Sequence, residues 1–311
     1  MNKIITLTLN PSIDKTIWVD RLIPEKKLKA KHPEDEPGGG GINVSRAIKY
    51  LDGESTAIYL SGSYNGQYLT ELIKAESIDF IDVPIKSNTR MSLMLIDESN
   101  LQEYRIGLEG PIVTKQELNN LVAVIEQQKD YDFFVASGSL PPNVPANFYA
   151  QVAKIVNANN AKFIVDTSGK ALQEVIKEKV FLLKPNLNEL SLLCGISENE
   201  NIDEIINATQ KLLSQINCTA IVVSLGSKGA VLVTAQEFHH IVPPAVKVKS
   251  TVGAGDSMVA GITLALSQNL SFKEALQYGV ACGTAATLNS GKALCNKDDV
   301  NRILSLVANS D

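Results

Sequence analysis

The chain reads as an α/β fold with a mostly parallel central sheet and a small second β-sheet, and three observations carry that reading. Short apolar, β-branched runs alternate with longer stretches of helical spacing. Two segments, 14–36 and 88–107, break the alternation with period-two patterns and no helix of their own. The chain has 311 residues, 44% of them hydrophobic, enough to bury a large core in one domain or two modest ones. No long Pro/Gly/Ser linker and no internal repeat divides it, so 1–311 is expected to be a single domain.

Taken in order, the strand candidates are Ile4–Leu9, Thr56–Leu60, Phe133–Ala136, Phe163–Val165, Phe181–Leu183 and Ala220–Val223. Helix candidates lie near 42–51, 115–128, 145–158, 203–216 and 272–288. In the first helix, Val44, Ala47, Ile48 and Leu51 fall at i, i+3, i+4 and i+7, which makes one apolar face. Such alternation implies a parallel sheet covered on both sides, with ligands gathered at the carboxyl ends of the strands. Thr16-Ile17-Trp18-Val19 and Ser92-Leu93-Met94-Leu95-Ile96 are expected to be antiparallel strands of a sheet outside the main body. That sheet is a lid over the site, a dimer surface or a pair of ordinary edge hairpins.

The charge balance narrows the function. A net charge of −5 argues against nucleic acid or an anionic membrane as the main partner. No run approaches the ~18 apolar residues of a membrane span, and Pro11 interrupts the N-terminus too early for a signal-peptide core. A cytoplasmic location is expected. The cysteines, Cys194, Cys218, Cys282 and Cys295, form no Cys-x-x-Cys pair and read as reduced thiols. The histidines make no site, since His239 and His240 are adjacent and point apart on a strand, while His32 lies in the outer sheet.

The strongest chemical signal is Ser250-Thr251-Val252-Gly253-Ala254-Gly255-Asp256-Ser257, a glycine turn that runs into a small-residue helix. Glycines admit a phosphate to the backbone, and a helix start offers unpaired N–H groups and a positive dipole end. Asp256 in the first helical turn is either an N-terminal cap or the acceptor of a hydroxyl proton. Beside an anion-holding turn, the second role completes a phosphoryl-transfer site. A second cluster, Glu36-Pro37-Gly38-Gly39-Gly40-Gly41-Ile42-Asn43, precedes the first amphipathic helix. Four successive glycines lose much backbone entropy on ordering, which suits close approach of a ligand or a tight connection. Asn43 can open the helix or bind sugar hydroxyls.

Lys184-Pro185-Asn186-Leu187-Asn188-Glu189 places Asn186 and Glu189 on one face of a helix start, suited to water around Mg²⁺ or to a capping box. Ser224-Leu225-Gly226-Ser227-Lys228-Gly229 ends a strand as an ATP-phosphate rest or a hairpin turn. The run Glu25-Lys26-Lys27-Leu28-Lys29-Ala30-Lys31 is a solvated edge, or meets a substrate phosphate if it belongs to a lid. Neither a G-x-x-x-x-G-K-[ST] loop nor a G-x-G-x-x-G after the first strand is present, which excludes P-loop and dinucleotide readings.

Pro37-Gly38-Gly39-Gly40-Gly41-Ile42-Asn43-Val44 and Thr251-Val252-Gly253-Ala254-Gly255-Asp256 resemble the two signatures of the ribokinase-like (PfkB) carbohydrate kinases, and the similarity covers essentially the whole chain. The branch it resembles most is the type 2 bacterial 6-phosphofructokinases, through Thr6-Leu7-Thr8-Leu9, Ser137-Gly138-Ser139-Leu140-Pro141-Pro142 and Ala285-Ala286-Thr287-Leu288-Asn289. The resemblance implies a three-layer ribokinase-like sandwich with a β-sheet lid from 14–36 and 88–107. It implies phosphorylation of the C1 hydroxyl of fructose 6-phosphate by ATP, a glycolytic step, with tagatose-6-phosphate kinase and 1-phosphofructokinase as alternatives. Gly40 stands where those relatives typically carry lysine, which favours fructose 6-phosphate.

By position, the resemblance implies Asp256 as base and Gly253, Ala254 and Gly255 as anion hole. Asp14, Gly39, Gly40, Asn43, Arg90 and Ser139 would hold the sugar phosphate, with Arg105 and Lys27, the latter from either subunit, as further basic groups. Lys184, Asn186, Ser224, Gly226, Ser227, Gly229 and Thr251 would line the ATP side, and Glu189 would organise Mg²⁺ through water. K⁺ would bind at Ser250, Val252, Ala286, Asn289 and Gly291, within a segment reaching Ala293. A homodimer clasped through the lids is also implied. Lys29 and Ala293 stand where relatives can carry arginine, so Lys29 loses bidentate phosphate contact and Ala293 offers only its carbonyl.

Overall fold

In a computed structural model, which describes residues 2–197, 201–289 and 294–308, the chain is a three-layer α/β sandwich with a separate four-stranded sheet. The elements run β1 (Ile4–Thr8), β2 (Ser12–Val19), β3 (Lys31–Gly38), α1 (Gly40–Tyr50), β4 (Thr56–Gly62), α2 (Ser63–Ala75), β5 (Asp79–Ile85), β6 (Arg90–Asp97), β7 (Gln102–Gly107) and α3 (Lys115–Gln127). They continue β8 (Phe133–Ser137), α4 (Phe148–Ala158), β9 (Lys162–Asp166), α5 (Gly169–Val175), β10 (Val180–Leu183), α6 (Leu187–Cys194), α7 (Ile202–Gln215) and β11 (Cys218–Ser224). After a 3₁₀ turn come β12 (Ala230–Thr234), β13 (Phe238–Ile241), α8 (Ala254–Ser267), α9 (Phe272–Ala286) and α10 (Lys297–Ala308).

The main sheet has the order β13-β12-β11-β10-β9-β8-β1-β4-β5. Its strands pair in parallel from β11 to β5, and β12 and β13 add an antiparallel edge. Side-chain alternation feeds two cores. On β8, Phe134 and Ala136 join the core under α3 to α7, whereas Phe133 and Val135 join the one under α1, α8, α9 and α10. The amphipathic face expected for α1 is buried as predicted, with Val44, Ala47 and Ile48 at zero exposure. Capping boxes at Thr114/Glu117, Asn201/Glu204 and Ser271/Glu274 fix the starts of α3, α7 and α9 by satisfying orphan N–H groups.

Both segments that broke the alternation form one small sheet, ordered β3-β2-β6-β7. The expectation of antiparallel strands holds for β2/β3 and β6/β7. It fails for the central pair, since β2 and β6 run parallel. The main-sheet crossover through β4, α2 and β5 separates them and reverses the second hairpin's approach. The glycine cluster also differs from its expected place: Gly40 and Gly41 lie inside the first turn of α1, with Gly39 at the N-cap.

Candidate active site

The carboxyl ends of β1, β8, β9 and β10 and the first turns of α1 and α8 converge on one spot. At α8, Gly253 is the N-cap with φ 73°, a left-handed backbone that glycine adopts without penalty. Among the described residues no side chain caps this start, which leaves its N–H groups available for an anion. Asp256 sits in that turn, but not as the N-cap. Its Oδ2 accepts a 2.9 Å hydrogen bond from Asn43 Nδ2 on α1, and its Oδ1 accepts a 3.4 Å bond from Ser137 Oγ at the end of β8. The two glycine signatures, 213 residues apart in sequence, therefore meet through one side-chain pair.

Electrostatics mark Asp256 as unusual. Burial pushes its carboxyl up to about 7, and the charge of Asp166 adds to this, while Asn43, Lys184 and Ser137 pull the other way. The residue as a whole is only partly exposed to solvent. Lys184, buried just after β10, pairs with Asp166 at 3.2 Å. A Cβ at Gly255 would stand 3.7 Å from Lys184 Nζ, so the ammonium lies over the α8 turn. Asn43 Oδ1 is buried with no hydrogen-bond partner among the described residues, an acceptor left open beside the carboxylate.

On the side facing the small sheet, Gly39 has φ 113°, and a Cβ there would lie 2.7 Å from Thr8 Cγ2 and 3.0 Å from Pro11 Cα. A Cβ at Gly40 would run into Ser137 Oγ and come 2.7 Å from Gly138 N, and one at Gly38 would overlap the Asp14 carboxylate. Thus the protein's own strands, rather than open ligand space, press on these glycines. Asp14 is buried and accepts from Ser12 Oγ at 2.7 Å. Arg90 donates through Nε to Asn10 Oδ1 at 3.0 Å, and Asn10 Nδ2 donates to Ser139 Oγ at 3.2 Å. Burial pulls the Arg90 guanidinium below its ordinary value, opposed by the charge of Asp14.

Arg105 and Lys27 are not brought to Asp256. Arg105 is exposed on β7 and pairs with Glu103 at 3.2 Å, while Lys27 and Lys29 lie exposed between β2 and β3. Glu103 also accepts from Ser250 Oγ at 3.2 Å, which ties the small sheet to the loop before α8.

On the opposite flank, Asn186 and Glu189 form a full capping box, with Glu189 Oε2 accepting from Asn186 N at 2.8 Å. Burial and Asp166 raise the Glu189 carboxyl, while Asn186 and Lys184 lower it. Ser224 bridges to Asn186, and the following loop is a hairpin connection in which exposed Gly226 and Ser227 open a 3₁₀ turn. Gly229 is required there by φ 84° and by the Ile241 carbonyl that a Cβ would strike. Thr251 is exposed. Lys249 N donates to Thr287 O at 2.8 Å, and Val252 N donates to Ser250 Oγ at 3.4 Å, so the loop before α8 lies along the end of α9 near buried Ala286. Asn289 Nδ2 is used on Leu294 O at 2.9 Å. Gly291 and Ala293 lie outside the described residues.

Three residues at the convergence carry no site role in the sequence reading: Asn10, Asp166 and Ser137, the last present there only as the first residue of the Ser137–Pro142 run. Each follows or ends a predicted strand, so the rule that ligands gather at strand carboxyl ends was the signal that could have found them. His239 and His240 pair with Glu237 and the Lys228 carbonyl, and all four cysteines are free thiols. Among the described residues, no group of three or more His, Cys, Asp or Glu could hold a metal, and no helix is long and apolar enough to cross a membrane.

A family model described as pfkB family carbohydrate kinase matches residues 7–299. The chain is 38% identical over 309 residues to the ATP-dependent 6-phosphofructokinase isozyme 2 of Escherichia coli K12, covering 99% of this chain and 100% of that one. It superposes on the crystal structure of phosphofructokinase-2 from Escherichia coli in complex with potassium with a TM-score of 0.95, at 38% identity and with 99% and 100% of the two chains covered. For the complex of that enzyme with fructose-6-phosphate the TM-score is 0.93, at 37% identity and the same coverage.

Proposed function

The chain belongs to the pfkB family of carbohydrate kinases, and from that premise we propose that it phosphorylates the C1 hydroxyl of fructose 6-phosphate with ATP, as a glycolytic 6-phosphofructokinase. The observation that carries this is the 2.9 Å bond between Asn43 and Asp256, which sets a base and an open acceptor side by side over an uncapped helix start. Asp256 takes the proton from the sugar hydroxyl as the new O–P bond forms and the bond between the γ-phosphorus and ADP breaks. Asn43 holds Oδ2 and leaves its own Oδ1 for a sugar hydroxyl. The amides of Gly253 to Gly255 and the ammonium of Lys184 neutralise the charge that develops on the phosphoryl oxygens.

The sugar phosphate is assigned to Arg90, Ser139, Asp14, Gly39 and Gly40, with Arg105 and Lys27 contributing when the small sheet closes as a lid. Support for a lid lies in β3 running directly into the glycine turn and in Glu103 reaching Ser250. Closure would keep water from the γ-phosphoryl. Asn186, Ser224, Gly226, Ser227, Gly229 and Thr251 would line the nucleotide.

The residues present fit Mg²⁺ held through water, because Asp166 and Glu189 supply hard oxygens without forming a cage, and Mg²⁺ keeps several waters. Main-chain oxygens near Ser250, Val252 and Ala286 fit K⁺, as the bond from Lys249 to Thr287 sets those segments alongside. When bound, these cations would neutralise phosphate charge. Tyr104, Ile106 and Leu108, exposed on and beyond the outer strand β7, support a homodimer through the small sheets. Light scattering at micromolar concentration tests it, and a monomer would refute it. The free thiols agree with a cytoplasmic location.

A coupled assay with fructose 6-phosphate, ATP and Mg²⁺, with and without K⁺, tests the function. ADP formation that depends on the sugar phosphate is expected, and its absence would refute the reading.

A further inference from the structure

We propose that Asn10 is a positioning residue of the sugar-phosphate cradle, joining Arg90 to Ser139 while leaving the guanidinium charge free for the incoming phosphate. The inference rests on the sugar-phosphate reading above and adds a residue to it. Asn10 lies just past β1, Arg90 opens β6 of the small sheet, and Ser139 follows β8. These three elements are held together at this point by one amide. Its Oδ1 accepts from Arg90 Nε at 3.0 Å, its Nδ2 donates to Ser139 Oγ at 3.2 Å, and its main-chain carbonyl accepts from Arg90 Nη2 at 3.2 Å.

The residue type is what the task requires. An amide offers an acceptor and a donor from one planar group, whereas an ionised carboxylate only accepts and an alkyl group does neither. The amide is also neutral. Arg46, Arg105 and Arg302 each form an ion pair with a carboxylate at 3.2 Å or less. Arg90 differs: its hydrogen bonds go to the amide and carbonyl oxygens of Asn10, it forms no ion pair among the described residues, and Asp14 acts on it as a nearby charge. A half-buried guanidinium oriented by dipoles keeps its attraction for an anion, and a bonded carboxylate would cancel it. Gly110 backs the arrangement from outside, since a Cβ there would collide with the Asn10 amide, so the chain between β7 and α3 packs directly against that side chain.

The test is steady-state kinetics on Asn10→Asp and Asn10→Ala beside the wild type. Asn10→Asp keeps the shape but adds a charge, and KM for fructose 6-phosphate should rise at least ~30-fold, as expected when an anion site is neutralised. Asn10→Ala should raise it less, about 5- to 10-fold, as for a lost orienting hydrogen bond. In both, kcat and KM for ATP should stay within about threefold, the mark of lost ground-state binding. A merely structural role predicts the reverse order, with the near-isosteric Asp the milder change and ATP kinetics disturbed equally. An Asn10→Asp effect no larger than that of Asn10→Ala would overturn the proposal. Should Asn10→Asp fail to fold, judged by loss of ATP binding, Asn10→Ala decides, and an unchanged KM in it refutes the proposal. Wild-type turnover measured alongside separates the two readings: without it both fall, and with it an unchanged variant KM sinks only the role of Asn10.

Discussion

Two glycine-rich helix starts meet at this site, and they use glycine for different reasons. Before and within α1, added side chains at Gly38, Gly39, Gly40 and Gly41 would meet Asp14, Thr8 and Pro11, Ser137 and Gly138, and the Leu7 carbonyl, so this turn is wedged among the protein's own strands. At α8, a Cβ on Gly255 meets, among the described residues, only Lys184 Nζ, at an ordinary 3.7 Å. The first turn is a packed wall that aims Asn43. The second is an open cradle among the described residues: no side chain caps its amides, and the Lys184 ammonium beside it is shared with Asp166. Similar composition thus meets close packing in one place, where only the main chain is left for a ligand, and open space in the other, and only the environment tells them apart.

The largest effect that would sharpen the contrast comes from the cradle's own carboxylate. Asp256→Asn should lower kcat by at least ~10²-fold, the lower range for a general base, with ATP affinity nearly unchanged. Near-normal turnover, measured under saturating substrates, would end the base assignment. The same substitution has a pH-dependent effect on stability. Asp256 is raised to about 7 in the fold, so the folded state binds the extra proton between its unfolded value and 7, and stability falls as pH rises through that window. Above it the wild type carries a destabilisation of at most about 4 kcal/mol, at 1.36 kcal/mol per pKa unit. Asp256→Asn should therefore be the more stable protein in denaturant titrations at pH 8, and the difference should shrink toward pH 4. A constant difference across that range would show that burial does not govern the carboxylate.

Smaller and more discriminating are alanine substitutions in the two turns. Gly41→Ala should cost about 1–3 kcal/mol of stability, as for overpacking against a backbone carbonyl. Gly255→Ala should cost less than about 1 kcal/mol while lowering kcat, since the added methyl enters the space kept for the phosphoryl. Equal stability losses in the two variants would erase the distinction between wall and cradle.

Much of the architecture was legible because it is periodic. The apolar face of α1 and the alternation of β8 each repeat a signal over several residues, and repetition is what sequence patterns report. By contrast, α2 opens with Ser63-Tyr64-Asn65-Gly66, residues typical of turns, and its buried Leu69 and Ile73 come late. The parallel pairing of β2 with β6 was unreadable, since a period of two carries no strand direction. Within the site, Asn43 and Asp256 stood out beside glycines, which bend the chain in a recognisable way. Asn10, Ser137 and Asp166 are single polar residues at strand ends, and only the sheet order that sets β1, β8 and β9 side by side gives them meaning. Asn186 and Glu189 show the opposite case, a capping box that the spacing alone could not separate from a metal-ordering pair.

In the proposed mechanism, a carboxylate held largely away from water at the start of α8 accepts the sugar proton. The pH dependence of kcat/KM for the wild type tests it most directly, compared with the residual activity of Asp256→Asn across the same range. An acid limb near pH 7 in the wild type, with activity lost as Asp256 is protonated on lowering pH, is the predicted result, and the limb should vanish in the variant. A limb that persists unchanged in Asp256→Asn, or a wild type fully active down to pH 5, would contradict the account.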